Sequence, residues 1–182
     1  MLGSHVTHHY GPDNATLTVQ TRRGGAAAKA GHDLTIEVTR WKGTLDHRAM
    51  TLTADPRSLR VIEGTGGMTT LGDEEKDGIS QTIDDEVLKG RAIEFRSTRV
   101  EQRGSRLEVT GDLELFGFKR SLDFALNVDE DGRISGSAFV KQTDWKMKPF
   151  SALFGTLKVA DVVEVSIDAR VPATVAMEAL HG

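Results

Sequence analysis

The chain has 182 residues, 38% of them hydrophobic and 27% charged, a balance that fits a folded globular domain and excludes a disordered chain or a coiled coil. Its length predicts one domain whose core needs neither disulfides nor a structural metal, and the absence of cysteine removes thiol nucleophiles and thiolate zinc sites together. With 23 basic against 27 acidic residues the net charge is -4, which gives no bulk attraction to nucleic acid or to an anionic membrane.

Residues 1–13 precede any alternating pattern and read as a flexible tail, so His5, His8 and His9 are expected as solvated residues rather than metal ligands. Alternation of apolar and polar residues, the mark of a strand with one buried face, starts at Leu17 and Val19. It continues through Leu34, Ile36 and Val38 toward Trp41, then Met50, Leu52 and Ala54, then Leu59 and Val61. The stretch from Glu63 to Met68 is glycine-rich and reads as a loop. Asp73 follows as an expected N-cap, with Ile79, Ile83 and Val87 at a spacing of four and Lys89-Gly90 at the end, which predicts one amphipathic helix over 73–89.

Beyond residue 91 the alternation strengthens. Ile93 and Phe95, then Leu107 to Leu115, Leu122 to Val128 and Ile134 to Val140 are separated by Arg103-Gly104-Ser105, Phe116-Gly117-Phe118 and Asp131-Gly132. Glycine supplies the positive φ of tight hairpins, so residues 92–141 read as a four-stranded antiparallel meander. Residues 149–155 are expected to add a short helical turn before a last strand from Val163 to Val171, and residues 173–182 read as a C-terminal tail. About eight strands with one apolar face predict an all-β fold with a minor helix, an antiparallel eight-stranded barrel with the helix inserted between strands, occupying residues 14–172. A two-sheet sandwich is the competing solution.

Few constellations suggest chemistry. Gly64-Thr65-Gly66-Gly67 lacks a following Gly-Lys-Ser/Thr, and the next helix opens with carboxylates that would repel phosphate. His32-Asp33 and Asp46-His47 are sequence neighbours, which on a strand point to opposite faces. Arg96, Arg99, Arg103 and Arg106 alternate with Glu94, Glu101 and Glu108, a pattern of cross-strand ion pairs rather than a nucleic-acid surface. No Gly-x-Ser-x-Gly elbow is present. No window approaches the ~20 apolar residues of a spanning helix, and the first residues lack the layout of a secretory signal, so the chain reads as cytoplasmic.

The run from Lys141 to Lys158 carries Trp145, several lysines, Pro149 and Phe150. Its aromatics either plug the end of the barrel or touch an apolar ligand whose anionic head meets Lys146 or Lys148. Thr143-Asp144-Trp145-Lys146-Met147-Lys148-Pro149, Ser151-Ala152-Leu153-Phe154-Gly155 and Val163-Glu164-Val165-Ser166-Ile167 resemble the YceI-like, lipocalin-like family of polyisoprenoid-binding proteins. Ile93-Glu94-Phe95-Arg96-Ser97-Thr98 and the hairpin Gly111 to Arg120 match the same family, and the resemblance spans about residues 14–172. It implies a barrel that takes up a long isoprenoid tail, with no catalytic residues.

The expected function is non-enzymatic binding, storage or transport of an isoprenoid-like or other amphipathic lipid, without a cofactor or metal; a homodimer stays open. Leu34, Ile36, Val38, Phe95, Leu113 and Leu115 are expected to line the barrel. So are Phe124, Leu126, Trp145, Phe150 and Phe154. His32, Asp144 and Lys146, placed where strands begin or end, are the expected head-group contacts, with Asp144 and Lys146 on one strand face. The alternatives are a barrel enzyme using His32 or Asp144 as general acid or base, and an interaction domain with a filled core.

Overall fold

A computed structural model describes residues 6–152 and 157–170. The strands in chain order are β1 (His8–Tyr10), β2 (Ala15–Thr21), β3 (Arg23–Gly24), β4 (Asp33–Val38), β5 (Trp41–Leu45), β6 (Met50–Ala54) and β7 (Leu59–Thr65). A helix α1 (Asp73–Thr82) continues into a wide π-type turn over 83–88. There follow β8 (Ile93–Arg103), β9 (Arg106–Leu115), β10 (Phe118–Val128), β11 (Ile134–Lys141), a 3-10 turn (Gln142–Trp145), β12 (Ser151–Ala152), β13 (Leu157–Val159) and β14 (Val162–Ala169).

The fold is mostly β with one helix, and its main layer is a curled antiparallel sheet of eleven strands among the described residues, in the order β1-β5-β6-β8-β9-β10-β11-β14-β2-β4-β7. This corrects the expected closed eight-stranded barrel, since β1 and β7 stand at the two ends of the order. The expected long strands break where the backbone bonds itself into corners. Between β6 and β7, Pro56 has no N–H to give a ladder, the Asp55 carboxylate accepts from the Arg57 N–H at 2.8 Å, and the fully buried Ser58 hydroxyl donates to the Asp55 carbonyl at 2.8 Å. Thr39 N–H donates to the Ser58 carbonyl at 2.8 Å, which ties this corner to the one between β4 and β5. The hairpin of β4 and β5 with β6 and β7 thereby bends, and its two halves join different parts of the curled sheet.

The meander from β8 to β11 follows the sequence reading, with β8, β9, β10 and β11 paired in succession. Phe116 and Gly117, at φ 55° and 82°, make the two-residue turn whose twist suits a hairpin. Arg91 holds the unfavourable Phe116 conformation, stacking 4.4 Å from its ring centroid and donating to its carbonyl at 3.1 Å.

Three local expectations need correction. Residues 1–13 are not all tail: His8 to Tyr10 pair with Gly43 to Leu45, and the side chains of His8 and Tyr10 are buried. Three residues are too few for alternation to show, and the pairing with β5 decides the matter. Gly72 rather than Asp73 caps α1, and Lys89 in the left-handed region closes the last turn. The helical turn near residue 149 occurs earlier, at Gln142–Trp145, while Ser151–Ala152 pairs with β13 and β13 with β3 in a small three-stranded sheet. The stretch 173–182, like Phe154, lies outside the described residues.

The core grades from filled to hollow. Leu107, Val109 and Ile134 are at most 1% exposed at the end where β9 and β11 begin. Inward side chains farther along the strands, among them Leu34, Leu122 and Val165, are only half-buried although they pack on the core, and so is Phe124, directly across the ladder from Val109. Their residual surface faces a cavity.

Candidate functional site

The curl of the sheet encloses a cavity of about 460 Å³, inside the range typical of small-molecule sites. Strand alternation builds its walls. Leu34, Ile36 and Val38 from β4, with Phe95, Leu113 and Leu115 from β8 and β9, line it as the sequence pattern places them. Phe124 and Leu126 of β10 line it too, and the Phe95 and Phe124 rings meet at 5.3 Å between centroids with a 56° tilt. α1 and its π-type turn add Ile79, Ile83, Val87 and Leu88, the apolar face of the amphipathic helix. The helix is held on β7 by Ser80, whose hydroxyl accepts from the Val61 N–H at 3.0 Å and donates to the Lys76 carbonyl at 2.9 Å.

Polar groups gather at one end. Thr21, Arg23, His32, Gln142 and Lys158 line the cavity there, and Phe150 sits among them, 38% exposed. The Thr21 hydroxyl is buried without a hydrogen-bond partner. Arg23 donates from Nη1 to the Gly31 carbonyl at 3.1 Å, while its own N–H goes to the Asp33 carboxylate at 2.9 Å. His32 Nε2 donates to the Thr69 carbonyl at 2.5 Å, which ties the loop after β7 to the rim. Gly66 and Gly67 lie so close to Arg23 and His32 that a Cβ at either would fall 1.8 Å from the Arg23 guanidinium or 2.6 Å from His32 Nε2. Both also have positive φ, which favours glycine at each, and at Gly67 the backbone carbonyl of Gly31, 2.9 Å from where a Cβ would stand, is a second constraint.

The expected head-group set is only partly brought together. His32 lines the cavity, whereas Asp144 and Lys146 are exposed and do not line it. The expected shared strand face does not exist, because Gln142–Trp145 is a 3-10 turn and Lys146 leaves it at φ 60°. Trp145 is also displaced from its expected role. At 2% exposure it is buried behind the wall, its indole Nε1 donating to the Leu113 carbonyl at 2.8 Å, and it does not line the cavity. Missed by the sequence reading were Thr21, Arg23, Gln142 and Lys158. For two of them a signal existed, since Thr21 and Arg23 continue the inward parity of Leu17 and Val19.

The other constellations stay structural. Asp33 pairs with Arg22 at 3.5 Å rather than with His32. Asp46 accepts from the N–H groups of Arg48 and Ala49, which hold its carboxyl below the usual range. His8 and His9 face opposite sides of β1, and no metal-holding group of side chains occurs among the described residues. Glu101 bonds Arg99 and Arg103, and Glu108 pairs with Arg103 and Arg106, so three of the four arginines of that stripe are in ion pairs on the sheet surface, and Arg96 lies opposite Asp112 in the ladder.

The family model of the YceI-like domain matches residues 12–171. The chain belongs to the YceI-like family. Among solved structures it is similar to BcnA of Burkholderia cenocepacia, at 14% identity and a TM-score of 0.63, over 85% of this chain and 94% of that one. A mutant of the YCEI protein of Campylobacter jejuni with a monobromobimane guest is similar at 14% identity and a TM-score of 0.52, over 74% and 81%. At these identities the likeness speaks for the fold. No curated protein sequence matches the chain. Among the described residues no helix is long and apolar enough to cross a membrane.

Proposed function

We propose that this YceI-like protein is a non-enzymatic carrier or store of an amphipathic, isoprenoid-like lipid, with the apolar tail inside the curled sheet and the head beside Arg23, His32 and Lys158. The observation that carries this reading is the cavity itself: about 460 Å³ with mainly apolar walls and its cationic and imidazole side chains, Arg23, His32 and Lys158, gathered at one end. At about 25 cal/mol per Å² of apolar surface removed from water, enclosing such a tail is strongly favourable. The unpartnered Thr21 hydroxyl gives a polar head a hydrogen-bond partner within the wall. Among the described residues no carboxylate lines the cavity, and His32 is engaged by the Thr69 carbonyl, an arrangement suited to holding a ligand rather than moving protons.

The test is organic extraction of the purified protein with mass spectrometry of the extract, together with uptake of a fluorescent long-chain prenol. Ala138→Phe, on the cavity wall of β11, is expected to abolish uptake while leaving the circular dichroism unchanged. Lys146→Glu is expected to leave uptake unchanged, because Lys146 does not line the cavity. An extract free of lipid combined with no prenol uptake by the unmodified protein overturns the carrier reading.

A further inference from the structure

We infer that the open end of the cavity is a docking surface for an anionic lipid bilayer. The proposal rests on the carrier reading only in its purpose; its observations are charge and exposure. Three stretches of the described residues form this rim: 21–32 with β3, the loop 64–72, and 145–152 with 157–160, which carry β12 and β13. Together they carry six basic residues, Arg22, Arg23, Lys29, Lys146, Lys148 and Lys158, and no acidic one, in a chain whose net charge is -4. The basic excess is therefore local.

Backbone pairing concentrates it. Val159 lies opposite Arg23 and Lys158 opposite Gly24, Ser151 lies opposite Lys158, and the Ala160 N–H donates to the Arg22 carbonyl at 2.7 Å. Of the acids that flank the segments, Asp33 is engaged by Arg22 and by the Arg23 N–H and Asp161 by Thr143, while Glu63, Asp73 and Asp144 stand just outside, so among the described residues the basic excess of the rim is six cations against three unengaged neighbouring carboxylates. Among the described residues Lys29, Lys148 and Lys158 take part in no ion pair. Two apolar side chains stand in the same rim, Met68 at 80% exposure and Phe150 at 38%. Cations that meet lipid headgroups beside apolar tips that enter the interface are the chemistry of a peripheral membrane surface.

Only one orientation suits this charge. The helical segment from Asp73 to Leu88 carries seven acidic residues and one lysine, so an anionic bilayer repels it. The molecule thus docks on the side of β3, β12 and β13 with α1 turned away, which leaves the cavity mouth against the lipid. A soluble acidic partner would use the cations but has no need of the two apolar tips.

The experiment is co-flotation of the full chain with vesicles of phosphatidylcholine alone or with about one third phosphatidylglycerol, at low and high salt. Binding is expected to the anionic vesicles and not to the neutral ones, and to fall steeply with salt. Each rim cation contributes about a fivefold change in affinity, so Lys148→Glu with Lys158→Glu is expected to reduce binding at least ~tenfold. Met68→Asp is expected to weaken it as well. Lys42→Glu with Arg48→Glu, outside the rim, changes the net charge equally and is expected to change binding less than about twofold. Absence of binding to anionic vesicles, equal binding to neutral ones, or equal loss in the two double variants overturns the proposal. So does indifference to Met68→Asp, which points to a soluble acidic partner. Prenol uptake measured without vesicles reads the carrier function separately: vesicle binding without uptake removes the carrier and leaves the docking surface, and uptake without vesicle binding does the reverse.

Discussion

His8 shows how one side chain can tie stability to pH. It is 5% exposed on β1 with neither ring nitrogen partnered, and burial, helped by the neighbouring His9, lowers its pKa below the ordinary 6.5. The unfolded chain therefore binds that proton more readily than the folded one. Its contribution is complete above the unfolded value and is lost as pH falls through 6.5 and toward the lower folded value. The melting temperature of the unmodified protein is expected to drop between about pH 7 and pH 5 more than that of His8→Phe, as differential scanning fluorimetry would read. Equal drops would assign the acid sensitivity to other groups. Tyr10, two residues on and also buried, has its phenol pushed up to about 12 by burial and so takes no part in this window. At this scale the sequence was legible where parity rules. Leu34, Ile36, Val38, Phe124 and Leu126 line the cavity as alternation places them, but parity says nothing once a strand ends, and there Asp144, Trp145 and Lys146 went astray.

Among the elements, α1 was readable from its spacing of four, whereas its partner was not. That it lies on β7 depends on Ser80, a residue a hydrophobic pattern skips, and on the Arg60 to Asp84 ion pair at 3.6 Å. Ser80→Ala leaves the buried Val61 N–H without an acceptor, which costs about 1–3 kcal/mol. For a chain of this length the melting temperature should fall by roughly 2–4 °C for each of those kcal/mol. A fall below about 1 °C would mean that the helix is held by its apolar face alone. The strand count failed for a related reason. The corners at 39–40 and 55–58 are tied to each other by hydrogen bonds between residues distant in sequence, Thr39 with Ser58 and Arg40 with Asp55 and Ser58, so the pattern through Trp41 read as unbroken.

For the whole molecule, the family and the mostly-β architecture were legible, and the end of the sheet at β1 was not. Removing residues 1–10 strips β1 from β5 and exposes Trp41 and Leu45, which are 7% and 2% exposed in the intact protein. Burying one such side chain is worth about 1.5–3 kcal/mol, so thermal denaturation of the truncated chain should show a loss of at least about 4 °C. An unchanged transition would restore the view of residues 1–13 as tail. The way the sheet is finished also bears on how the protein survives at high concentration. A curled sheet with two ends offers two rows of unpaired backbone groups on which another chain could add. One end is a strand of three residues, too short to template a ladder, and the seven-residue strand at the other is covered by a helix that takes up one of its N–H groups. Displacing the helix would uncover a long edge beside a hollow apolar interior, so the same element that walls the cavity also guards the molecule against polymerising through its strands.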